Sequence, residues 1–120
     1  MGMMLTCDRE AMPGDAAAFM IVTYDLSLSA VSQAGEKYFG KEGQLIGKDV
    51  LELITSPLGD DVLARHVGQA AQRAAEPVVM PVRLRSQGRR RVGTLAARIA
   101  TCGPPRAALV TVEPSEFGRR

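Results

Sequence analysis

Between Tyr38 and Asp49 the chain reads Tyr-Phe-Gly-Lys-Glu-Gly-Gln-Leu-Ile-Gly-Lys-Asp. An aromatic pair precedes Gly40, and Leu45-Ile46 precedes Gly47. A glycine just past a short amphipathic stretch is the usual end of a helix, because it takes a positive φ without a Cβ clash. The spacing therefore predicts two stub-like helices laid end to end and held by Tyr38, Phe39, Leu45 and Ile46. Few folds are built on a chain of such short helices, so this stretch constrains the architecture more than any bulk property does.

On either side the pattern changes to strands. Phe19 to Asp25 is aromatic and β-branched and ends in turn chemistry at Asp25-Leu26-Ser27, and Ser29 to Ser32 returns as a second strand. Ser32 is a candidate N-cap for a helix running through Phe39. Asp49 with Glu52 three residues on forms a capping-box-like start for residues 50–54. Ser56-Pro57 opens a further helical segment. A long helix over about 58–75 follows, with Leu63, Val67, Ala70 and Ala74 stepping at helical spacing, and Pro77 stops it. Val78, Met80, Val82 and Leu84 then alternate with Val79, Pro81, Arg83 and Arg85, the period of a strand with one face buried. Turns at 86–88 and 103–105 separate this strand from a long one over 89–102 and a last one over 107–112. Strands at both ends with helices between give an α+β domain: one five-stranded antiparallel sheet, with short helices and one longer helix packed over one face.

A chain of 120 residues with 46% hydrophobic and 23% charged content is one ordinary globular domain. The longest apolar run, Ala16 to Val22, is too short for a membrane span, and Asp8 and Glu10 interrupt any leader-like stretch, so a cytoplasmic setting with no membrane is expected. Two cysteines, Cys7 and Cys102, form neither a disulfide framework nor a metal-ligand spacing. Charge is uneven along the chain. Residues 1–60 carry nine acids and four bases, and residues 61–120 carry four acids and eleven bases.

The strand ending in Asp25, the run Ala34-Gly35-Glu36-Lys37-Tyr38-Phe39-Gly40, the run Leu45-Ile46-Gly47-Lys48 and the late Gly88 turn, in that order, resemble the PAS sensor domain over residues 18–114. One departure is Ser32, where many members of that family place an asparagine tying the hairpin to the next helix; a serine retains the capping ability. The resemblance implies a cytoplasmic signalling module that holds a small ligand between helices and sheet, or serves only to dimerise. It further implies that the module regulates an output domain, such as a histidine kinase or a transcription regulator. Residues 1–17 then read as a flexible tail or short dimerisation helix. Residues 115–120 read as a tail leading to an output domain or to the chain end. A module that only binds other proteins, with no ligand, is the alternative.

Residue chemistry narrows the cofactor. Light-driven flavin adducts in this family need a cysteine on the helix after Gly47, and Gly47-Lys48-Asp49-Val50-Leu51 has none, so cysteinyl-flavin photochemistry is rejected. The absence of tryptophan weakens flavin stacking. Haem requires an axial ligand. His66, the sole histidine, lies on the long helix near the edge of its apolar sector, and the preferred reading is a boundary histidine rather than a ligand. No tightly bound cofactor is therefore expected.

The Arg83, Arg85, Arg89, Arg90 and Arg91 cluster reads as a solvated hairpin. No aromatics are interleaved with it, so direct nucleic-acid binding is not expected. Nucleophile–base pairs, phosphate loops and paired carboxylates are missing, so no enzymatic activity is expected.

The expected ligand pocket follows from the inner faces: Ile21, Val31, Phe39, Ile46, Ile54, Leu63, His66, Val67, Met80, Val82, Leu95 and Ile99. Such a lining suits a small, mostly apolar ligand. A homodimer is expected through the N-terminal segment and outer sheet face, because Met3, Met4 and Leu5 have no core of their own to join.

Overall fold

In the computed structural model the residues described are 6–7, 17–73, 76–85, 94–103 and 106–114. The elements in chain order are strands β1 (Thr6–Cys7), β2 (Ala18–Val22) and β3 (Leu28–Val31), and helices α1 (Glu36–Phe39) and α2 (Glu42–Leu45). A 3₁₀ turn (Val50–Glu52) follows, then β4 (Ile54–Thr55), helix α3 (Asp60–Gln72), and strands β5 (Val78–Leu84), β6 (Thr94–Gly103) and β7 (Ala107–Pro114). All pairings are antiparallel, in the order β3-β2-β7-β6-β5-β4, with β1 also paired to β6. The expected five-stranded sheet is thus six strands along its path, because Ile54–Thr55 adds a short strand at the β5 edge. Thr6 and Cys7 lie opposite Gly103 and Cys102, beyond the Val78–Ile99 pair where β5 begins, so this part of the predicted tail is a strand.

The first strand alternates as period two demands. Ala18, Met20 and Val22 join the main core, while Phe19 and Ile21 face the other way. The strand is shorter than the expected 19–25 because Thr23 to Ser27 close on themselves. The Thr23 amide donates to the Ser27 carbonyl, and the Leu26 amide to that of Thr23. Asp25 accepts from the Thr23 hydroxyl and the Ser27 amide, which is turn chemistry that stops a ladder.

Both stub helices exist. Gly40 caps α1 with φ 117°, and Gly47 follows α2 with φ 90°. The capping box at Asp49 and Glu52 is present, but on a single 3₁₀ turn. Helix α3 begins two residues later than expected, at Asp60. Before it, the Ser56 hydroxyl donates to the Pro81 carbonyl and accepts from the Leu58 amide, holding residues 56–58 in a turn.

Leu63, Val67, Ala70 and Ala71 of α3 pack on the inner faces of the sheet. Complete removal of Met20, Leu63, Val67, Val82, Leu95 and Val110 from water supplies the main favourable term. The helix ends at Gln72, with the Arg73 amide donating to the Gln69 carbonyl. The Thr101 hydroxyl donates to the carbonyls of Ala70 (2.7 Å) and Arg73 (3.1 Å), and the Arg106 guanidinium to that of Gln72 (3.0 Å). The sheet itself thereby closes the helix end. A second, smaller buried cluster on the far face of the sheet joins Ile21, Ala100, Cys102, Ala107 and Leu109.

Candidate functional site

The structure brings most of the expected lining together. Val31, Ile54, Leu63, Val67, Met80, Val82, Leu95 and Ile99 share the main core, and Phe39 packs against it. Three residues lie elsewhere. Ile21 sits on the opposite face of β2, in the far cluster, because Met20 and Val22 take the inward positions and adjacent residues in a strand cannot share a face. Ile46 is 47% exposed. It follows the last residue of α2, and its extended backbone (φ −56°, ψ 129°) leaves the helical face that buries Leu45. His66 is half-buried and outside the core cluster, at the rim of the α3 apolar face.

Where these core residues meet they pack on one another. An open cavity of about 370 Å³ lies beside them, where the first residues of β2 run next to the last residues of β7. Ala18 stands opposite Val112 there. Ala17 and Ala18 form one wall, Thr111, Val112, Glu113 and Pro114 a second, and Ala34, Lys37 and Tyr38 a third. Ala18 and Val112 also belong to the main core, so the cavity floor is continuous with it. None of these residues was in the expected lining. The available signal was two alanines at the head of β2 facing Ala34. Small side chains leave space where large ones would fill it.

One hydroxyl fixes the cavity walls. Ser32 Oγ donates to the Ala17 carbonyl and accepts from the amides of Phe19 and Gly35, each at 2.9 Å. The Ser32 amide donates in turn to the Phe19 carbonyl. The serine thus ties the head of β2 to the turn that opens α1, the task anticipated for it despite its departure from asparagine. Gly35 lets the two approach: a Cβ there would lie 2.9 Å from the Phe19 carbonyl oxygen.

The acidic residues of this region serve backbone donors. Glu42 Oε2 accepts from the Val31 amide and Glu36 Oε2 from the Glu42 amide, each at 2.8 Å. Together with the Ser27–Asp49 bridge and the Leu28–Lys48 and Gly47–Leu28 hydrogen bonds, they cover the free edge of β3.

A second polar cluster lies at the start of α3. Arg85 pairs with Asp60 at 2.6 Å and donates to the Leu51 carbonyl, while the Thr55 hydroxyl and Ser56 amide donate to Asp60. The Thr55 hydroxyl, ahead of the Arg85 guanidinium, holds the Asp60 carboxyl below its usual range. These contacts pin β4, β5, α3 and the 3₁₀ turn together. Arg85, one of the predicted basic hairpin, is thereby a structural residue; Arg89, Arg90 and Arg91 lie outside the described residues. No group of three or more metal-ligating side chains exists among the described residues, and none of the described helices is long and apolar enough to cross a membrane.

No family model and no curated protein matches the chain. Solved structures do. The PAS domain of the Cronobacter turicensis RpfR quorum-sensing receptor in complex with C12:0 superposes with a TM-score of 0.62 at 15% identity, covering 86% of this chain and 97% of that one. The same receptor domain in complex with BDSF gives a TM-score of 0.61 at 15% identity, with the same coverage. The chain has the PAS fold. The stub helices between Glu36 and Leu45, the long helix and the sheet path of β3-β2-β7-β6-β5 are its elements here. The cavity lies between the head of β2 at Ala17 and the end of β7 at Pro114.

Proposed function

We propose that this PAS-fold chain is a sensory module that binds a small, largely apolar molecule and regulates an attached or partner output domain, with no enzymatic activity of its own. The observation that carries this reading is the 370 Å³ cavity, whose floor is shared with the apolar core and whose walls include the head of β2 and the end of β7. A ligand seated there touches Ala17 and Pro114 directly, so occupancy bears on whatever those ends are joined to. The likeness to receptor domains solved with C12:0 and with BDSF supports a ligand of fatty-acid-like size and apolarity.

Thermal unfolding of the purified chain with and without sodium dodecanoate, below its critical micelle concentration, tests the reading. A saturable rise in Tm that falls away in Ala34→Trp, which fills the cavity, is expected. Absence of any rise, together with no small molecule released from the purified protein on denaturation and mass spectrometry, would refute it.

A second reading, homodimerisation through the outer sheet face, draws on Val79, 63% exposed, and on Arg98 across the ladder from it. The Arg98 Nε is shut from water with no hydrogen-bond partner among the described residues, and a second copy that drew the side chain outward would let it find one. Sedimentation of the wild type against Val79→Glu separates the two readings, since only the dimerisation reading expects a change in mass.

A further inference from the structure

The chain has two cysteines, near opposite ends of the sequence, and the sheet sets them side by side. Past the Val78–Ile99 pair, β5 no longer occupies the edge of β6, and β1 takes its place there. The register puts Thr6 across from Gly103 and Cys7 across from Cys102. Directly opposed residues of an antiparallel pair lie on one face of the sheet, whereas a slip of one residue would put the two cysteines on opposite faces. The Cα atoms of opposed residues stand about 4.5 or 5.5 Å apart, according to the type of pair. A disulfide spans Cα separations of about 4.4–6.8 Å, so this register meets its first requirement. The neighbours of Cys102 are small: Ala100 shares its face of β6, and Ala107 opposes it from β7. The ladder of β1 is only two residues long and ties this strand to the sheet by few hydrogen bonds.

We infer that Cys7 and Cys102 form a redox-controlled disulfide that fastens β1 to β6. The inference stands apart from the sensory reading and needs no ligand in the β2–β7 cavity. The oxidant is a small disulfide such as oxidised glutathione. Cys102 is 2% exposed, which denies it to a reagent in solution, so the exchange begins at Cys7. The Cys7 thiolate attacks one sulfur of the small disulfide, breaks its S–S bond and releases one small thiol. The Cys102 thiolate then attacks the Cys7 sulfur of the mixed disulfide, forming the Cys7–Cys102 bond and releasing the second small thiol. Two protein thiols lose two electrons and two protons, and one small disulfide becomes two thiols. The loop so closed takes in most of the chain, where a cross-link restricts the unfolded state most.

The test is equilibration of the whole chain with reduced and oxidised glutathione at neutral pH, read after acid quenching by intact mass and tryptic mapping. In native buffer the oxidised product should be a monomer in which peptides 1–9 and 99–106 are joined. A bond that stabilises the fold is itself favoured by folding to the same extent. Its equilibrium constant should therefore be about tenfold or more larger in native buffer than in concentrated urea. The oxidised chain should also melt about 5 °C or more above the same chain in dithiothreitol. Cys7→Ser should lose that difference while keeping the Tm of the reduced wild type. Equal constants in the two solvents, or equal Tm values, overturn the inference. So does a native product in which Cys7 carries glutathione or joins a second chain while Cys102 stays a thiol. The mapping uses the wild type, so it decides the question even if Cys7→Ser does not fold.

Discussion

Ser32 shows how much one small side chain can hold. Its hydroxyl uses its donor and two acceptor positions on Ala17, Phe19 and Gly35, so Ser32→Ala leaves two amides and a carbonyl without partners in a half-buried region. A loss of about 1–3 kcal/mol is expected from urea unfolding, more than a simple cap deletion costs. The adjacent glycine is required for space rather than for conformation. Gly35 has an ordinary helical φ of −66°, yet a Cβ would press on the Phe19 carbonyl. Gly35→Ala should therefore destabilise, against the usual gain from replacing a helical glycine. The hairpin turn adds a polar case: hydrogen bonds from the Thr23 hydroxyl, and then from Ser27, lower the Asp25 carboxyl from its ordinary value. From the sequence, Ser32 was legible as a cap because capping is local. Its bonds to Ala17 and Phe19, fifteen and thirteen residues away, were not, since no local pattern encodes a partner at that distance.

Among the elements, α3 offers the contrast to Gly35. Gly68 lies within this helix, and a Cβ there would meet nothing within 4 Å. Gly68→Ala should stabilise the chain by about 0.5–1 kcal/mol, read as a higher urea midpoint with unchanged m-value. At the front of the same helix, the Asp60 carboxyl is lowered by the Thr55 hydroxyl and then by Arg85. A group whose folded pKa lies below its unfolded one adds stability at pH above the unfolded value, and loses it as pH falls through the folded value. The stability gap between wild type and Asp60→Asn should thus be present at neutral pH and close in acid below the ordinary value of 3.8. A gap that persists unchanged at low pH would mean that shape, not charge, makes Asp60 matter. Periodicity located α3 and β5 because each has one buried face. It misplaced Ile21 because Met20, Ile21 and Val22 are all apolar and all buried, on two sides of the sheet, and alternation is invisible in such a run.

For the whole molecule, the order of elements was legible and the space between them was not. Short helices bounded by glycines, one long helix and terminal strands follow from local rules, and they assemble into the PAS fold. The cavity arises from residues far apart in sequence, Ala17 and Ala18, Ala34 to Tyr38, and Thr111 to Pro114, whose meeting depends on β2 lying beside β7. His66 tests whether the core face of α3 has a separate role. It stands at the rim of that face beside Leu63 and Val67, half-buried, and belongs to no cluster of three or more metal-ligating side chains among the described residues. A boundary histidine contributes a hydrogen bond to water or protein and some packing, so His66→Ala should cost about 0.5–1.5 kcal/mol and leave a folded chain. The purified wild type should be colourless. A Soret band in the wild type that His66→Ala abolishes would instead make this histidine an axial ligand and move the sensory chemistry from the β2–β7 cavity to the face of α3.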